Sequence, residues 1–93
     1  MTTLLIAYDV TQPARLREVA RLLEDHGRRI QQSVFVCCLP PPRADVLVDE
    51  ATALIDRETD RLFVLPICAC CREAIEQIGD TEPIPGEHRC YVA

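Results

Sequence analysis

Four kinds of side chain in this 93-residue chain could do chemistry: a carboxylate ending an apolar run, arginines near the N-terminus, two histidines and six cysteines. Asp9 closes the apolar run 4–8, where a side chain can project past a sheet edge while its backbone is held. A carboxylate there could ligate a hard cation. With a pKa near about 3.9 it is a poor general base at neutral pH, and one carboxylate is a weak site for a cation that wants several oxygens. In a twofold dimer, however, one Asp per chain becomes a pair able to hold one metal and its activated water. The alternative is that Asp9 only turns the chain toward the next element through an Asx-type hydrogen bond.

Arg17 and Arg21 stand four apart, with Arg28 in phase if a helix ran so far, which makes a basic stripe suited to phosphates or to solvent. The cysteines form the pair Cys37-Cys38, the cluster Cys68-Ala69-Cys70-Cys71, and Cys90 near His88. Cys68 and Cys71 have the gap of zinc ligands, but no second C-x-x-C exists, and neighbours in a strand such as Cys37 and Cys38 point to opposite faces. The thiols are therefore read as packing groups. His26 falls in the last turn of the first predicted helix, as a cap-side residue. There is no Gly-rich phosphate loop, Ser-His-Asp set or H-x-x-x-H pair, and Tyr8 and Phe35 do not make a base-stacking platform.

The elements that must position these groups fit one small domain. At this length roughly 60–65% of the unfolded surface is buried on folding, so self-association would enlarge a modest core. The run 4–7 is too short for a membrane span and no basic segment precedes it, so the chain is expected in the cytosol with reduced thiols. All ten basic residues are Arg, against fifteen acids and a net charge of −5. That balance excludes a generic nucleic-acid sponge. Residues 1–29 hold five Arg and four acids, and residues 30–93 five Arg and eleven acids, so polyanion contacts belong to the N-terminal third.

The run 4–8 reads as a strand buried on both faces. Thr11 as N-cap, Pro13 in the first turn, Leu16, Val19, Ala20 and Leu23 on one face and Gly27 as stop predict an amphipathic helix. Residues 29–39 read as one long strand or two short ones meeting near Gln31, Gln32 and Ser33. After the prolines 40–42, the spacing of Ala44, Leu47, Val48, Ala51, Leu54 and Ile55 predicts a second helix. A charged turn 56–60 and a strand 62–67 follow. Residues 74–79 read as a short helix or an edge strand, 83–86 as a loop and 88–92 as a last short strand. This order predicts an α+β, ferredoxin-like split βαβ domain over residues 1–79, with a C-terminal tail over 80–93. Its helices cover one face of an antiparallel sheet, and a second copy of the chain is the simplest cover for the other.

Several stretches together resemble a known family: the strand end Tyr8-Asp9, the helix Arg17-Glu-Val-Ala-Arg-Leu-Leu, the segment Gly27-Arg-Arg-Ile-Gln-Gln-Ser-Val-Phe35 and the strand Leu62-Phe-Val-Leu-Pro-Ile-Cys. They are similar, over about residues 3–79, to the small CRISPR-associated adaptation protein, the second of two core spacer-acquisition proteins and often called an endoribonuclease. The resemblance implies a symmetric homodimer that bridges a partner integrase and lies along double-stranded DNA to be inserted. Some members are described as magnesium-dependent nucleases on single-stranded RNA or duplex DNA. Asp9 matches the family's catalytic, metal-binding carboxylate, facing its copy across the dimer axis. Tyr8, Ser33, Phe35 and Arg29 match residues lining that cleft and Arg17 matches on the helix; with Arg21 of the same basic stripe, Arg17 and Arg29 are the expected nucleic-acid contacts. Val36 stands where many members carry an acid, which removes a second carboxylate. The competing reading, from a different class, is a cytosolic zinc or thiol protein without a nucleic-acid role.

Overall fold

A computed structural model describes residues 1–76, 78 and 79. Strand β1 (Thr2–Asp9) leads to helix α1 (Pro13–Glu24), then strands β2 (Gly27–Gln31) and β3 (Val34–Leu39), helix α2 (Pro41–Leu54), strand β4 (Arg61–Ile67) and the short helix α3 (Ala69–Glu73). The strands form one sheet in the order β2-β3-β1-β4, each neighbouring pair antiparallel. This is the split βαβ arrangement expected from the sequence, with the stretch 29–39 resolved into two strands around the turn Gln32-Ser33.

Strand alternation divides the sheet into two faces. Leu4, Ile6 and Tyr8 of β1 join Phe35 and Cys37 of β3 beneath Val19, Ala20 and Leu23 of α1 and Ala44 and Leu47 of α2, all buried. Each large apolar side chain moved out of water here contributes roughly 1.5–3 kcal/mol, which is why β1 and β3 carry almost unbroken apolar runs. The other face carries Leu5, Ala7, Val34, Val36, Phe63 and Leu65, and on it Phe63 and Leu65 each remain 58% exposed. At its far end α3 is tied to this face by Arg72, whose Nη1 donates to Thr3 Oγ1 at 3.1 Å. Among the described residues no helix is long and apolar enough to cross a membrane.

The ends of the elements differ from the sequence expectation in four places. Gln12, not Thr11, caps α1: its Oε1 accepts the Arg15 N–H at 2.8 Å. Thr11 is drawn off instead to Asp60, which accepts the Thr11 N–H at 3.1 Å and its hydroxyl at 3.2 Å. Gly27 does not stop α1, which ends at Glu24 with Asp25 as its cap; Gly27 opens β2, so Arg28 lies on a strand and outside the helical stripe. Helix α2 begins inside the proline cluster, at Pro41, since proline fits the first helical turn. The element after β4 is α3 rather than a helix or edge strand over 74–79, because the chain turns at once around Cys68. The predicted loop 83–86, last strand 88–92 and tail 80–93 lie outside the described residues.

Gly27 is required for space. A Cβ at this position would collide with the Val36 carbonyl and meet Cys37 Sγ at 2.5 Å, so β2 could not lie as close to β3. Gly27→Ala is expected to destabilise the fold by about 1–3 kcal/mol, measured as a lower denaturant midpoint. Asp60 is buried and its carboxylate also accepts from Arg15 Nε at 2.9 Å and the Asp56 N–H at 2.9 Å. The Arg15 guanidinium first, and then the Asp56 backbone, hold Asp60 well below its ordinary value of 3.8. A depressed folded-state pKa contributes stability that is fully present above the unfolded value and lost as pH falls toward the folded one. The acid limb of a stability–pH profile below about pH 4 is therefore expected to flatten in Asp60→Asn, with stability at neutral pH reduced.

Candidate functional site

The last turn of β1 and the β2–β3 turn are stitched together by two hydrogen bonds. The Tyr8 N–H donates to the Ser33 carbonyl at 3.0 Å, and the Tyr8 hydroxyl to the Gln32 carbonyl at 3.3 Å. Tyr8 is on the helix side of β1, where its ring stacks on Phe35 with centroids 6.2 Å apart and planes at 24°. Phe35 is fully buried and faces Arg29 across the β2–β3 ladder. That pairing places the Arg29 guanidinium carbon 5.1 Å from the Phe35 ring centre, a cation–π contact worth about 0.5–1 kcal/mol at a surface. Arg29 Nη2 also lies 3.7 Å from Glu24 Oε1 on α1. Both partners are largely exposed, so the pair adds little binding energy and leaves the guanidinium open to a better anion.

Over this scaffold lies a depression of about 450 Å³, lined among others by Tyr8, Asp9, Arg17, Arg29, Gln32 and Ser33. The structure thus brings together five of the residues singled out in the sequence, with Phe35 as the floor under Tyr8. Arg21 does not line it; it is exposed on α1, one turn beyond Arg17. Asp9 ends β1, is exposed, and sits opposite Arg61 of β4. Alternation puts its side chain on the face of Leu5 and Ala7, at the rim between the depression and the open sheet face.

Among the described residues the Asp9 carboxylate accepts no hydrogen bond, so the Asx-turn alternative is overturned: the turn is organised by Asp60 through Thr11. Asp9 is held in place yet left unengaged. No group of three or more His, Cys, Asp or Glu forms a cation site among the described residues. One chain offers a hard cation one carboxylate and the neutral oxygens of Gln32 and Ser33. Magnesium keeps most of its waters and takes one or two carboxylates, so the donors of one chain are the fewest such an ion uses.

Two contributors were not marked by the sequence. Asp60 is one of three acids in the predicted charged turn, and nothing in that turn distinguishes the buried one. Glu24 is an ordinary surface acid until β2 folds back beside it. His26 lies just past α1, after the Asp25 cap and not in its last turn, and its Nδ1 donates to the Leu22 carbonyl at 2.9 Å. Cys37 and Cys38 fall on opposite faces, and burial pushes the Cys37 thiol up to about 11, so Cys37 is inert packing. Burial also raises the Tyr8 phenol above 10.0, with Arg29 pulling it down and Glu24 pushing it up. Spectrophotometric titration in a Tyr91→Phe background is therefore expected to show a midpoint above 10 that rises further in Arg29→Gln and falls in Glu24→Gln.

The chain matches the model of the family described as "CRISPR associated protein Cas2" over residues 1–75. It is 42% identical over 89 residues to "CRISPR-associated endoribonuclease Cas2 1" of Chloroflexus aurantiacus, covering 95% of this chain and 96% of that protein. Among solved structures, Streptococcus pyogenes Cas2 superposes with a TM-score of 0.73 at 32% identity, covering 83% of this chain and 99% of that one. A chain of the "Partial Cas6-RT-Cas1--Cas2 complex" is similar in fold, with a TM-score of 0.74 at 24% identity and 94% of each chain covered.

Proposed function

The chain belongs to the CRISPR associated protein Cas2 family, and we propose that it serves spacer acquisition as a dimeric adaptor between an integrase and double-stranded DNA. The observation that carries this reading is the segregation of charge. In a chain of net charge −5, Arg17 and Arg29 converge on one depression, and Arg21 continues the same flank of α1. Arginine suits this task because its planar fork pairs bidentately with phosphate. Twofold pairing is supported by the exposed Phe63 and Leu65 on the sheet face that the helices leave open. Pairing through that face would bury them and bring two copies of Asp9 toward one axis. The integrase as partner is supported by a chain of this fold within a complex that contains Cas1.

A second reading, metal-dependent endonuclease activity on single-stranded RNA or duplex DNA, is favoured by the unengaged Asp9 carboxylate and by the related protein named an endoribonuclease. Asp9 of both copies would hold Mg2+, and a bound magnesium ion supplies an activated water and a counter-charge to the phosphate. Arg17 and Arg29 would orient the phosphodiester across the depression and balance charge that develops on it. Tyr8, Ser33 and Phe35 keep the floor and wall of the cleft rigid.

The two readings separate in one pair of measurements. Charge reversal at Arg17 and Arg21 is expected to weaken duplex binding and to reduce the slope of log K against log salt by about 0.9 per lost phosphate contact. Unchanged affinity and slope would remove the adaptor surface from α1. Asp9→Asn, assayed on labelled RNA and duplex DNA with magnesium and with chelator, is expected to abolish metal-dependent cutting and leave dimerisation unaltered in a sedimentation experiment. Cutting that persists in Asp9→Asn would remove the nuclease reading, and a monomeric wild type at micromolar concentration would remove the shared-axis arrangement.

A further inference from the structure

The nucleic-acid reading does not use the cysteines at the end of β4. Five described cysteines are free, and they are not equivalent. Cys37 is buried and Cys38 half-buried beside Thr3, whereas Cys68, Cys70 and Cys71 are exposed. Cys68 directly follows β4 and caps α3, and the turn folds back on it: the Arg72 N–H donates to the Cys68 carbonyl at 2.9 Å and the Cys71 N–H to Cys68 Sγ at 3.5 Å. Cys70 lies between them in the same turn.

We propose that Cys68 and Cys71 are a redox-active dithiol site that exchanges with small disulfides to form an intramolecular disulfide. The turn already folds Cys71 back on Cys68, with its N–H on Cys68 Sγ at 3.5 Å, so the two thiols of this C-x-x-C belong to one helical turn and closure needs no movement of distant chain. The roles of the two thiols also differ. The Cys71 backbone N–H on Cys68 Sγ lowers the Cys68 thiol below its ordinary value, while the Cys68 side chain beside it raises that of Cys71. Cys68 is then the attacking thiolate, and Cys71 keeps its proton until the second step.

The exchange balances with a low-molecular-weight disulfide RSSR as oxidant. The Cys68 thiolate attacks one sulfur, the R-S–S-R bond breaks, and one RS⁻ leaves, giving a mixed disulfide on Cys68. Cys71 then loses its proton and attacks Cys68 Sγ, expelling the second RS⁻. Two electrons pass from the protein dithiol to RSSR, and two RSH are the product. Trivalent arsenic, which prefers paired thiolates, should recognise the same pair. A zinc ion would need further ligands, and no group of three metal-binding side chains assembles among the described residues.

The test uses the full-length reduced protein equilibrated with oxidised and reduced glutathione, quenched by alkylation and weighed intact. Two thiols fewer than in the reduced control should be alkylated, in a monomer-mass species. Trypsin, cutting after Arg61 and Arg72, places Cys68, Cys70 and Cys71 on one peptide, so variants assign the bond. Cys68→Ser and Cys71→Ser should each abolish the closed form, with Cys68→Ser also slowing mixed-disulfide formation more than Cys71→Ser. Cys70→Ser should leave it intact. The proposal is overturned if the three thiols stay fully alkylatable, if Cys70→Ser removes the disulfide, if only intermolecular disulfides form, or if the purified protein carries stoichiometric zinc that protects these thiols.

Discussion

One carboxylate decides where the secondary structure of this fold may begin and end. Asp60 is buried at the start of β4, and a buried charge survives only if it is paired and its lone pairs are filled. Its partners come from the β1–α1 turn (Thr11), the first turn of α1 (Arg15) and its own approach loop (Asp56 and Thr59). Meeting those demands moves the cap of α1 from Thr11 to Gln12, fixes the length of the turn after Asp9, and seats the first residue of β4 opposite the last of β1. The residues that resemble a functional centre owe their position to a residue that lies outside it. Among the described residues the Asp9 side chain accepts no hydrogen bond, and its backbone is positioned by pairing with Arg61 and by the clamped Thr11 two residues later.

The sheet supplies the second constraint. A β1 strand flanked by β3 and β4 must send alternate residues to both faces, and the long helices α1 and α2 cover only one. On that face Leu4, Ile6, Tyr8, Phe35 and Cys37 are buried and Leu62 and Val64 partly so. On the other, Phe63 and Leu65 stay in contact with water. An acidic surface overall, an apolar unpartnered face and a cluster of arginines at one rim form a consistent set. Net charge keeps the free chain soluble, the face favours self-pairing, and the arginines act locally because screening confines charge effects to about 8–10 Å at physiological salt.

Much of this was legible in the sequence because it rests on periodicity and local chemistry. The run before Asp9, the spacing of Leu16, Val19, Ala20 and Leu23, and the unbroken pattern from Ala44 to Ile55 record which faces are buried, and burial is what folding selects. The break at Gln31, Gln32 and Ser33 recorded the turn of a hairpin. What the sequence hid was long-range pairing. Thr11 looks like a cap until an acid 49 residues away claims its N–H and hydroxyl. Gly27 looks like a helix stop until β3 is laid against it, when its absent Cβ becomes the reason β2 fits. Residues 74–79 misled because Ile75 and Ile78 have helical spacing, but the turn around Cys68 had already placed the helix earlier.

The two proposed sites lie at opposite ends of the same strand pair. Asp9 stands opposite Arg61 at one end of the β1–β4 ladder, and Thr3 stands opposite Ile67, next to Cys68, at the other. Six residue steps of strand separate them, roughly 20 Å at about 3.3 Å per residue. Sites so far apart with no shared partner behave additively, so a change in the cysteine turn acts on Asp9 only through something that spans the whole ladder. The open face between them, with Leu5, Ala7, Phe63 and Leu65, spans that distance. Whatever covers that face touches the carboxylate at one rim and the α3 turn at the other. If any coupling exists between thiol state and phosphate chemistry, the covering surface is the path that physics leaves for it.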